Sequence, residues 1–146
     1  MLPRWHILWG AVFTAVLWIA APGTSWMYLG LVFLASVFID LDHYIVAAMS
    51  TGTFHLRDAF DYHTEKGLEY AQNHAKGIRE KGDFHLFHTI EFQALVGILG
   101  ILWTPFFYIF IGLVFHSLLD LFYMLYHDVV YRREFFFFNW LAKLAD

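Results

Sequence analysis

The sequence predicts an all-α integral membrane protein, a bundle of four transmembrane helices formed by a single domain of residues 1–146. Residues of the types AVILMFWYC make up 60% of the chain and charged residues 15%, against roughly 45–50% apolar and about 25% charged in average soluble domains. Four apolar runs approach the ~20 residues that a helix needs to cross the hydrocarbon. In this arrangement every Lys and Arg falls on one side of the membrane, as the positive-inside rule requires.

The first two spans occupy the N-terminal third of the chain. The first covers residues 5–21 and ends before Pro22. A cleaved signal peptide is the alternative, since the small residues Ala20-Ala21 end the apolar run. Proline directly after the cleavage position favours an uncleaved anchor. The second span covers residues 26–49 and carries the sequence DLDHY (residues 40–44) in its second half.

The other two spans are joined by a tight turn and flanked by polar segments. The third span covers residues 86–103 and the fourth residues 106–126, with Thr104-Pro105 breaking the chain between them. The connection of residues 50–84 is polar and, by the spacing of its charges, partly helical. The tail of residues 132–146 predicts an interfacial segment, with a tail docked on the other helices as the alternative. Both termini and the connection are predicted to be cytoplasmic, in a plasma or inner membrane.

Composition also excludes several classes of function. The net charge is −4 and the cations form no block, so nucleic acid is not expected as a partner. The absence of cysteine excludes disulfides, cysteine zinc fingers and thiol catalysis. Membrane lipids are the expected partners, and one of them is a candidate substrate. Homo-oligomerisation through the face of Gly97–Gly100 is left open.

Ionisable side chains interrupt three of the spans in pairs. Asp40 and His43 are three residues apart, and His116 and Asp120 are four apart, so each pair shares one helical face. Carboxylates are costly in hydrocarbon and therefore face the bundle interior or a partner. By their positions along the spans, seven such side chains are predicted to converge in the cytoplasmic half of the bundle: Asp40, Asp42, His43, His85, His88, His116 and Asp120.

Imidazoles and carboxylates without thiolates are typical ligands of a divalent metal ion, with zinc favoured and manganese or iron also compatible. Because zinc takes four ligands, seven candidates imply either that some orient the others or that the site holds up to three ions. Metal-activated water is the expected nucleophile, and two metals together would suit phosphate ester hydrolysis. Asp42 or Glu91 is predicted to take the proton from water.

Three short motifs carry a family resemblance. The sequences FIDLDHY (residues 38–44), HLFHT (85–89) and FHSLLD (115–120) occur in an order that resembles the membrane-bound metal-dependent hydrolases, the LexA-binding inner-membrane hydrolase-like family. That family is distantly similar to zinc-dependent phospholipase C, so the resemblance implies phosphoesterase chemistry. The middle motif departs from the family, whose two histidines are five residues apart rather than three.

The sequence therefore predicts a membrane-embedded, metal-dependent hydrolase of a phosphate ester of a lipid or lipid-linked substrate. The alternative is a non-catalytic protein whose metal braces the bundle or senses metal supply. Transport of metal ions or protons is a third hypothesis, since intramembrane Asp and His also mark ion pathways. Haem ligation by two histidines is a fourth, disfavoured by the aspartates beside nearly every histidine.

Overall fold

The computed structural model describes residues 3–145, and this part of the chain is helical with no strand. The all-α prediction is therefore confirmed. Seven α-helices follow one another, with single turns of 3₁₀ helix at Leu86–His88 and Val130–Arg132. The α-helices are α1 (Pro3–Ala20), α2 (Trp26–Phe38), α3 (Leu41–Thr51), α4 (Leu56–Ala75), α5 (Ile90–Leu102), α6 (Thr104–Tyr126) and α7 (Phe137–Ala145).

Two helical stretches are long and apolar enough to cross a membrane. They are Trp26–Thr51, which comprises α2 and α3, and Thr104–Tyr126, which is α6. The stretches Arg4–Ala20 and Ile90–Leu102 are apolar but shorter. The four-span arrangement and its orientation stay predictions.

The second predicted span, residues 26–49, is two helices rather than one. Helix α2 ends at Phe38 and α3 begins at Leu41, so Ile39 and Asp40 form a turn between them. Apolar residues continue on both sides of this turn, which is why the sequence does not reveal it. The break leaves carbonyl groups at the end of α2 without partners in their own helix.

The third and fourth spans begin at other residues than predicted. Residues 86–88 form a 3₁₀ turn, and α5 starts at Ile90 because the Thr89 side chain caps it by accepting a hydrogen bond from Phe92 N. The predicted break between these spans exists, but it is at Trp103 rather than at Thr104-Pro105. Pro105 lies in the first turn of α6, where the missing N–H has no intrahelical acceptor in any case.

Helix α6 is the centre of the bundle and packs on both α2 and α5, while α1 packs on α2. Gly112 allows the close approach of α2 and α6, since a Cβ there would overlap the Val32 carbonyl oxygen and the Ala35 side chain. The buried apolar core consists of Ile39, Val96 and Leu113, with phenylalanines around it.

The polar connection and the tail both fold back on the bundle. Helix α4 forms most of the 50–84 connection and packs on α3. The tail contacts α5, as expected if it is docked on the other helices. Glu91 of α5 accepts hydrogen bonds from Phe137 N at 2.9 Å and from Phe138 N at 3.4 Å. Within the tail, a hydrogen bond from Lys143 lowers the pKa of Glu134. Whether the tail also lies in a membrane interface stays a prediction.

Candidate metal centre

The predicted metal ligands come from four separate parts of the fold. Asp40 lies in the turn after α2, while Asp42 and His43 lie in the first turn of α3. His85 immediately precedes the 3₁₀ turn before α5 and His88 is the last residue of that turn, while His116 and Asp120 lie one turn apart on α6. These elements meet around one buried region, which contains two groups of potential ligands that share His88.

We call the first group the four-residue cluster. The Nε2 atoms of His88 and His116 face each other at 3.3 Å. Asp40 Oδ1 lies 3.5 Å from the first of these nitrogens and 3.4 Å from the second. Asp120 Oδ2 lies 3.8 Å and 3.6 Å from the same two nitrogens. The cluster thus consists of Asp40, His88, His116 and Asp120, with ligand atoms all within 4.8 Å of one another.

Both imidazoles of the cluster are fixed by a hydrogen bond at Nδ1. His116 Nδ1 donates to the Ser36 carbonyl at 2.7 Å, and His88 Nδ1 donates to Asp42 Oδ2 at 3.1 Å. Because those oxygens only accept, each Nδ1 carries a proton, and Nε2 is the nitrogen of each ring that is left to bind an ion. Ser36 belongs to the last turn of α2, so the end of that helix supplies the free carbonyl that orients His116.

The consequence is a converging set of electron-pair donors. In the deprotonated cluster, two Nε2 lone pairs and two carboxylates repel one another, and either a proton or a metal ion between them removes this repulsion. A tetrahedral zinc ion with bonds of about 2.0–2.1 Å requires ligand atoms about 3.3 Å apart. The measured separations of 3.3–3.8 Å are close to that requirement. The donor set and its spacing therefore fit a metal ion.

The second group consists of Asp42, His43 and His88. Asp42 Oδ2 accepts hydrogen bonds from Phe87 N and His88 Nδ1, whereas its Oδ1 has no hydrogen bond within the described chain. That oxygen lies 3.9 Å from His85 Nδ1, which is likewise buried without a hydrogen bond. Burial lowers the pKa of His85 to about 4, partly opposed by the charge of Asp42, so the ring is neutral at neutral pH.

Exposure increases toward one side of the site. His88, His116 and Asp120 are almost fully buried, whereas the side chains of Asp40 and His43 are 22% and 29% exposed. His43 lies under α4, where the ring of His63 contacts its carbonyl oxygen at 3.0 Å. The most exposed members of the site are therefore Asp40 and His43, beside the polar connection.

Sequence reasoning missed His6 as a member of the site. Its side chain is 1% exposed, its ring stacks on His116 at 3.8 Å, and its Nε2 lies 3.2 Å from Asp120 Oδ1. Neither ring nitrogen has an aligned hydrogen bond within the described residues. Asp40 Oδ2 lies 4.0 Å from the same Nε2. A single histidine in an apolar run has no local pattern, so only the packing of α1 reveals its position.

Arg133 is a second residue that the sequence did not indicate. Its Nη2 donates to Asp120 Oδ2 at 2.8 Å, and its side chain is 13% exposed. The charge of Arg133 also contributes to the lowered pKa of His85. The guanidinium therefore adds a cation beside the four-residue cluster. Glu91, by contrast, lies outside both ligand groups. Its carboxylate accepts a hydrogen bond from the backbone at the start of α7, and no contact shown for it supports the predicted catalytic role.

No protein-family model, curated protein or solved structure matches this chain.

Proposed function

We propose that this protein is a membrane-embedded, metal-dependent hydrolase that acts on a phosphate ester of a lipid or lipid-linked substrate. The observation that carries the proposal is the four-residue cluster, in which the Nε2 atoms of two oriented imidazoles and two carboxylates converge within 4.8 Å of one another. The resemblance of the three motifs to membrane-bound metal-dependent hydrolases supports the same reaction class.

Asp40, His88, His116 and Asp120 are the residues that would hold a divalent metal, with zinc favoured by the donor types and manganese or iron compatible. Such an ion, when bound, supplies Lewis acidity that lowers the pKa of water and stabilises charge on a phosphoryl group. The second group offers places for a further ion, since Asp42 and His43 share His88 with the cluster.

The remaining chemistry belongs to the side chains around the cluster. Asp42 orients His88 and keeps Oδ1 free of hydrogen bonds from the described residues, so this oxygen is our candidate to take a proton from water. Arg133 is our candidate to bind the phosphoryl oxygens, because its guanidinium lies at the four-residue cluster, where it donates a hydrogen bond to Asp120. A lipid headgroup would enter past Asp40 and His43, the exposed members of the site.

A non-catalytic metal centre is the second candidate function. One observation favours it: the ligands of the four-residue cluster come from the turn after α2, the 3₁₀ turn and α6, so an ion there would join separate elements. A metal that braces the bundle predicts thermal stability that falls on chelation, with no turnover of any phosphate ester.

Phosphate release from lipid substrates in detergent, with zinc or manganese supplied, tests the proposal. We expect metal-dependent release that is abolished in His116→Ala and strongly reduced in Asp42→Ala. His55→Ala is the matched control, because His55 is exposed and its side chain makes no capping hydrogen bond at the start of α4. Turnover that is equal in all four proteins would contradict the mechanism.

A further inference from the structure

An apolar groove lies between α2, α5 and α6, and its lining combines the buried core residues Ile39, Val96 and Leu113 with partly exposed side chains around them. Its volume is about 250 Å³, and the side chains that line it are entirely apolar, four of them phenylalanines. None of them belongs to the four-residue cluster or to the second group. The proposed hydrolytic site therefore leaves this groove without a role.

The lining of the groove adjoins the metal centre along the chain. Ile39 and Phe87 line the groove, and each immediately precedes a residue of the four-residue cluster, Asp40 and His88. A hydrogen bond also connects a lining residue to the second group of ligands, since Phe87 N donates to Asp42 Oδ2 at 2.9 Å. A molecule in the groove would thus have one end beside the polar site.

The groove runs along α6, away from that site. Its lining on α6 includes Phe106, Ile109 and Leu113, and the first and last of these are seven residues apart (113 − 106), which corresponds to about 10 Å of helix. His116 lies one turn beyond Leu113. An occupant that follows the groove would lie parallel to α6, as an acyl chain lies parallel to a membrane-spanning helix.

We propose that this groove binds an acyl chain of the substrate, so that the phosphate ester of the headgroup is held at the four-residue cluster. The inference rests on the proposed function and specifies its substrate class: a membrane lipid with a phosphate ester close to the chain. Three features support this occupant, namely the purely apolar lining, the orientation along α6 and the continuity of one end with a charged site. A molecule that is polar along its length would be compatible only with the end of the groove near the charged site.

Photo-crosslinking tests the groove without relying on turnover. The probe is a phosphatidic acid with a diazirine in the middle of one acyl chain, used with the full-length protein in vesicles. Labelled peptides are mapped by mass spectrometry. Ile109→Trp fills the groove, and Ile98→Trp makes the same change at a residue of α5 that is 58% exposed and does not line it.

We expect labelling concentrated in residues 35–39, 87–96 and 106–113, lost in Ile109→Trp and kept in Ile98→Trp. Labelling spread evenly over the apolar helix faces, or equal in the two variants, would overturn the inference. A protein–protein crosslink from the groove in place of lipid labelling would assign it to a second copy and also overturn it.

Metal content and phosphate release, measured on the same samples, separate this inference from the proposed function. Specific labelling without turnover would leave the acyl-chain site standing and remove the hydrolase. Turnover of long-chain substrates that is unaffected by Ile109→Trp would leave the hydrolase and remove the acyl-chain site.

Discussion

The substitution Asp42→Asn separates an orienting role of this carboxylate from direct metal ligation. Asp42 Oδ2 accepts hydrogen bonds from Phe87 N at 2.9 Å and from His88 Nδ1 at 3.1 Å. The asparagine carbonyl can accept the same two bonds, so the change removes the charge and preserves the shape. Loss of a carboxylate that orients a ligating histidine lowers metal affinity by about 10- to 100-fold, equivalent to about 1.4–2.8 kcal/mol.

The assay is a competitive titration of purified protein in detergent against a zinc-chelating dye, which yields both affinity and stoichiometry. We expect the affinity to fall within that range and the number of ions per chain to stay the same. Asp61→Asn is the matched control, because Asp61 is 66% exposed on α4 and pairs with Arg57. A loss of one whole ion per chain would show that Asp42 is a ligand in the second group. Unchanged affinity would refute the orienting role altogether.

Three further substitutions test the packing and the two residues that sequence reasoning missed. Gly112→Ala should lower the melting temperature and the metal occupancy, since overpacking typically costs about 1–3 kcal/mol. Gly30→Ala is the control and should change neither, because nothing lies within 4 Å of the added Cβ. Equal melting curves for the two variants would contradict the close approach of α2 and α6. His6→Phe keeps the stacked ring and removes its nitrogens, which lie beside Asp120. We expect the metal affinity in the same dye titration to fall about tenfold or more, as for the loss of a group that orients a ligand. Unchanged affinity would show that His6 contributes only to packing. Arg133→Gln should weaken inhibition by inorganic phosphate about 10- to 100-fold with metal content retained, as expected for a lost charge-assisted hydrogen bond; unaltered inhibition would exclude Arg133 from phosphate binding.

The paired residues of the candidate site could be predicted because helical spacing is a local signal. His116 and Asp120 are four residues apart on a continuous apolar helix, so the sequence alone places them on one face. The same reasoning works less well for His85 and His88, because a 3₁₀ turn and a loop hold them rather than α5. Their position at the centre results from tertiary contacts with Asp42.

The rest of the site depends on contacts between distant segments, which a single sequence does not encode locally. His6 reaches Asp120 across 114 positions (120 − 6), and Arg133 reaches it only because the chain folds back after α6. The helix break at Ile39-Asp40 was missed because apolar residues continue on both sides of it. That break matters for the chemistry, since it frees the Ser36 carbonyl to orient His116.

The most direct test of the account is the metal content of the purified protein by elemental analysis, beside a His116→Ala/Asp120→Ala double variant. Both proteins are prepared without chelator and resupplied with zinc, manganese and iron, and circular dichroism checks that each keeps its helices. We expect at least one ion per chain in the parent protein and its loss in the variant, because these two residues supply half of the four-residue cluster. A folded parent protein that binds no metal would contradict the account, because protons would then have to balance the cluster.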